Sequence, residues 1–85
     1  MKNFKIWCET EEEKQKVLLK MEKEGIKWLS GHLPTQYKPC DAPIGFIVIN
    51  NKLLGMSTYR TKDKFESYNK REISITPEVY TKEKR

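Results

Sequence analysis

One helix is spelled out with both of its ends, and that limits what the remaining residues can form. Thr10 stands three residues before Glu13, the capping-box spacing at which each side chain satisfies the other's free backbone N–H. Glu11, Glu12 and Glu13 fall in the first turn, where the helix dipole favours negative charge. Val17, Leu18 and Met21 recur at helical spacing, and Gly25 supplies the left-handed residue that closes a helix ending near Glu24. Ile26 is then placed to touch Met21 in a Schellman-type close. Elsewhere the apolar residues alternate with period two or form short blocks. A chain of 85 residues with one well-signed helix has to bury that helix against a sheet.

Phe4-Lys5-Ile6-Trp7-Cys8 alternates and predicts a first strand, with Phe4, Ile6 and Cys8 facing the core. Trp7 then shares the opposite face with Lys5 and Glu9 and is expected to be partly exposed. Residues 26–30 predict a second strand. Residues 45–49, the most hydrophobic run, predict a central strand, and Asn50-Asn51 a two-residue turn, because Asn tolerates positive φ. Residues 52–58 return as the hairpin partner. Residues 71–75 form the last strand with Ile73 and Ile75 inward, and Thr76-Pro77 opens a short terminal helical turn carrying Val79 and Tyr80. The expected fold is α+β: an antiparallel sheet of about five strands with one main helix packed on one face, in the order β-α-β-β-β-(short α)-β. Residues 1–80 form a single domain, and 81–85 form a basic tail expected to be disordered. Residues 31–43 hold three prolines and no periodic pattern, which makes them an ordered loop and a candidate functional segment.

Hydrophobic residues make up 36% of the chain and charged residues 34%, so the core is small and a homodimer or partner surface would extend it. The net charge of +5 is concentrated in Tyr59–Arg71 and in the tail Lys82–Arg85. A basic excess favours nucleic acid, nucleotides or an acidic protein surface, and it also serves solubility alone. No apolar run approaches the roughly 18 residues of a membrane span, and the N-terminus has no secretory pattern. The expectation is a cytoplasmic protein without membrane contact. Cys8 and Cys40 lack CxxC spacing and read as free thiols, with a single disulfide between them as the alternative.

Catalytic and metal chemistry find little to work with. His32, Cys40 and Asp41 share one loop, but a Cys nucleophile needs a base and a group to orient it, and the chain has one His. Cys8, His32, Cys40 and Asp41 lack the close pairing of structural zinc ligands, so no metal site is expected. The four glycines are scattered outside any phosphate-loop pattern. No enzyme activity and no cofactor are expected.

Tyr59–Arg71 remains, interleaving three aromatic rings with five basic residues and two acids. Rings offer flat faces and Lys or Arg offer donors, the residue types that anchor interfaces and anionic ligands. The binding residues expected on this basis are Trp7, Tyr59, Arg60, Lys62, Lys64, Phe65 and Tyr68. The competing reading places Phe65 and Tyr68, at helical i,i+3 spacing, in a second small core over the sheet's open face. An alternative ligand set for a nucleotide-like anion is Tyr37, Lys38, Arg60 and Lys62. Nucleic-acid binding ranks lower: the paired aromatics of an RNA-recognition sheet and a helix-turn-helix are both missing, and the Glu11–Glu24 helix is close to charge-balanced.

The run Phe4–Glu13, the amphipathic helix, the run Glu24–Gly31 with its Trp, and the close Lys70–Glu78 together resemble the layout of small α+β proteins encoded by phages and prophages. Members of that group include host-enzyme inhibitors and anti-defence proteins, and one subset resembles the Thoeris anti-defence sponges that sequester cyclic nucleotide signals. The resemblance implies an inhibitor acting in the bacterial host cell on a host or defence protein, with a nucleotide sponge as the alternative. It transfers no site residue to this chain.

Overall fold

The computed structural model describes residues 3–36, 41–56, 61–68 and 72–82. Five strands and three helices follow in the order β1 (Phe4–Cys8), α1 (Glu11–Lys23), β2 (Lys27–Trp28), β3 (Ile44–Ile49), β4 (Lys52–Met56), α2 (Lys62–Ser67), β5 (Ile73–Ile75) and α3 (Pro77–Thr81). The helix α1 begins at the Thr10–Glu13 capping box and ends through Gly25 at φ 80°, with Ile26 N–H donating to the Met21 carbonyl at 3.0 Å. The hairpin turns at Asn50 and Asn51, with φ of 53° and 63°, the paired left-handed residues of a type I′ turn. Thr76 caps α3 with Pro77 in its first turn, and the Thr76 hydroxyl accepts from Val79 N–H.

The sheet is mixed rather than antiparallel, in the order β2-β4-β3-β1-β5. β3 runs antiparallel to both β1 and β4, whereas β2 pairs parallel with β4 and β5 pairs parallel with β1. The physical reason lies in the connections. β1-α1-β2 and β4-α2-β5 are crossovers between parallel strands, and they travel across the sheet in opposite directions. Parallel crossovers share one hand, so opposite travel puts their helices on opposite faces.

Both faces are therefore covered. On one, α1 and α3 pack over Phe4, Ile6, Cys8, Ile44, Phe46, Val48 and Leu53, with Val17, Leu18 and Met21 from the helix. On the other, Phe65 of α2 sits with Trp7 and Ile47, flanked by Ile49 and Leu54. Tyr80 of α3 lays its ring 5.0 Å from that of Phe4 and donates its hydroxyl to Glu24 at 2.6 Å.

Two strand expectations need correction. β2 holds only two residues, because Trp28 N–H turns to the His32 carbonyl at 2.9 Å and Gly31, at φ 95°, folds the chain back. Ile73 is not inward: it pairs with Phe4 at the sheet's edge and is 72% exposed, while Ile75 reaches the core beside Ile6. The proline-rich loop is tied to α1 at both helix ends. Thr35 donates to Glu22 and Ala42 N–H donates to Glu11, while the Trp28 indole donates to the Pro34 carbonyl. Its residues 37–40 lie outside the described residues, as do 83–85 of the basic tail.

Candidate functional site

α2 carries most of the expected binding residues that fall within the described residues. Its six residues lie between the N-cap Thr61, whose hydroxyl accepts from Lys64 N–H at 3.3 Å, and the C-cap Tyr68, whose backbone is extended. Lys62 and Lys64 are exposed and, at about 100° per residue, stand on opposite flanks of the helix. Tyr68 is 41% exposed at its end. Phe65 is fully buried, so the two rings that share i,i+3 spacing part company: Phe65 belongs to the core and Tyr68 to the surface. Tyr59 and Arg60 lie outside the described residues, and so do Tyr37 and Lys38 of the alternative ligand set, which leaves Lys62 as its one described member.

Trp7 is buried rather than partly exposed. Alternation along β1 does place it on the face away from α1, but α2 covers that face. Its ring lies 5.5 Å from Phe65, and its indole N–H donates to Glu9 Oε1 at 2.7 Å, so its polar handle is satisfied within the chain. Phe65 in turn lies directly over Gly45, where a Cβ would collide with its ring. The missing side chain at 45 is the slot that admits Phe65.

Lys5 is the residue the sequence reading passed over. It is 2% exposed, and its ammonium donates to the carbonyls of Phe65, Glu66 and Tyr68 at 3.4, 2.5 and 2.7 Å. Those carbonyls belong to the last turn of α2 and its C-cap, where the dipole favours a cation; the Phe65 carbonyl also accepts the Tyr68 N–H at 3.1 Å. The ammonium also stands 5.7 Å from the Phe65 ring centroid. A lysine in mid-strand ordinarily reads as solvent-facing. The available signal was its place beside Trp7 on a face that the second crossover has to cover. Ser74 of β5 adds a hydroxyl to Glu66 at 2.7 Å, tying α2 to the edge strand.

The other candidates have structural employment. Burial pushes the Cys8 thiol up to about 12, with Glu13 adding to the effect, so it stays protonated and is a poor nucleophile at neutral pH. His32 Nδ1 and the Ser30 hydroxyl lie 2.8 Å apart. Among the described residues, no three His, Cys, Asp or Glu side chains converge as a metal site, and no helix is long and apolar enough to cross a membrane. An open cleft of about 270 Å³ lies between α1 and α3, lined by Glu13, Lys16, Pro77, Glu78 and Thr81. Glu13 there is committed to the α1 cap and Lys16 pairs with Glu12 at 3.2 Å, so it offers no convergent polar set.

At its surface α2 carries two lysines on its flanks, Asp63 between them and Tyr68 at its end, on a helix fixed from below. No family model, curated protein or solved structure matches the chain.

Proposed function

We propose that this chain is a non-enzymatic binding protein that blocks a bacterial host or defence protein through the exposed side of α2, an inhibitor of the phage type its layout resembles. The observation that carries the reading is the sorting of the aromatic and basic residues around one short helix. Phe65 is buried as its anchor, while Lys62, Lys64 and Tyr68 stay at the surface. Held by Phe65 below and Lys5 at its end, α2 presents those groups with little ordering left to do on binding, which favours affinity. Tyr is among the residue types that dominate interface energies, and Lys62 and Lys64 add hydrogen-bond donors beside the exposed Asp63.

The test is capture from a bacterial lysate with the whole chain and with a Lys62→Glu/Lys64→Glu/Tyr68→Ala variant. These residues are exposed, so the variant is expected to keep its circular dichroism spectrum and melting temperature. The expected result is a stoichiometric protein retained by the parent chain and lost by the variant. Equal capture by both, or no stoichiometric protein with the parent, defeats the proposal.

A further inference from the structure

We propose that α2 is a releasable cover: it leaves the sheet and melts as one unit while the five strands, α1 and α3 stay folded, and its departure uncovers Trp7. This inference concerns the chain alone and stands whatever partner α2 meets.

Four observations carry it. First, α2 has six residues, far below the length at which a helix persists in water, so detaching it and melting it are one event. Second, Phe65 is its one buried residue, with Glu66 half-buried and the rest exposed. Third, its backbone is held to the sheet by one ammonium, beside the exposed Ser74–Glu66 side-chain bond. Lys5 reaches three carbonyls that converge only when the chain is wound as α2 and its closing turn, so the latch forms and breaks as a whole. Fourth, the cluster beneath α2 is a satellite. Trp7, Ile47 and Phe65 form it, while the twelve buried residues of the main core lie on the other face and include none of them. Losing α2 therefore removes the satellite and leaves the main core whole. Small attachments of this kind belong to the low end of local stability in a fold.

Release changes the surface in a definite way. Trp7, Ile47 and the half-buried Ile49 and Leu54 become an aromatic and aliphatic face, and the Lys5 ammonium goes to water. The sheet thus has a second surface that exists only when α2 is off.

Native-state hydrogen exchange on the full chain, in urea below the unfolding transition, tests this. The reporters are the Phe65 and Tyr68 amides, which donate to Thr61 and Phe65 carbonyls, against the β3 amides. The expected result is measurable protection at α2 with exchange about 100-fold faster than in β3 and a smaller urea dependence, the signature of a sub-global opening. Exchange at the β3 rate with the same urea dependence overturns the proposal, and so does absence of any protection at α2. A Lys5→Met variant sharpens the result. The variant loses an interaction that the α2-off form and the unfolded chain both lack, so exchange at α2 and at β3 should quicken by the same factor, about 10-fold or more, with α2 still the faster. Unchanged exchange at α2 overturns the latch.

Discussion

Lys5 and Gly45 show how much of this fold rests on single side chains of unexpected type. An enclosed ammonium persists only where its hydrogen bonds replace water, and the three carbonyls at the end of α2 do that for Lys5. Methionine at position 5 keeps the bulk and removes the donor, leaving those acceptors short of a partner. Lys5→Met should lower unfolding stability by about 1–3 kcal/mol, read from urea melts at neutral pH. Gly45 is constrained by space alone, since a methyl there meets the Phe65 ring. Gly45→Ala should cost about 1–3 kcal/mol through overpacking. Phe65→Leu opens room at the same contact, so the double variant should be less destabilised than the sum of the two singles. Strict additivity in that double-mutant cycle would show that the two residues do not meet.

At the scale of elements, what could be read from the residues was local. The capping box, the Gly25 close, the Asn50-Asn51 turn and the Thr76-Pro77 start each depend on a few neighbouring residues, and each stands where the sequence placed it. The parallel pairings of β2 and β5 were not legible, because two and three residues of strand carry almost no pattern and their partners are distant in sequence. The burial of Trp7 was misread for the same reason: period two tells which face it is on, not what covers that face. Composition singled out Lys62, Lys64 and Tyr68, which are exposed, but not the enclosed Lys5 that supports the candidate site from below. The hairpin offers a clean check of the local reading. Asn50 sits at φ 53°, so Asn50→Ala should cost about 1 kcal/mol while Asn50→Gly stays within a few tenths of the parent. Equal stability of the Ala and Gly variants in urea would argue against a left-handed residue there.

For the molecule as a whole, the decisive fact is that one sheet supports two unequal layers. The larger layer buries Cys8 and pins α3 through Tyr80, and both of these groups are acids whose protonated forms the fold favours. Burial raises the Cys8 thiol from its ordinary 9.0 to about 12. Burial, the hydrogen bond to Glu24 and the Glu24 charge hold the Tyr80 hydroxyl well above its ordinary 10.0. The sign follows from which state keeps its protons. Above pH 9.0 the unfolded chain releases the Cys8 proton while the folded chain retains it, so rising pH favours unfolding. Above pH 10.0 Tyr80 acts in the same direction. Neither group contributes below pH 9, where both states hold both protons. Stability measured in urea under reducing conditions should therefore be insensitive to these groups up to about pH 8.5 and then decline. The slope should be about 1.4 kcal/mol per pH unit for each proton the unfolded chain has released. Cys8→Ala removes the first of the two, so its curve should decline less steeply than the parent's from pH 9 upward, whatever its starting stability. Parallel curves for parent and variant between pH 9 and 11 would mean that the thiol ionises in the folded chain, and that the sheet's larger layer is open to water at Cys8.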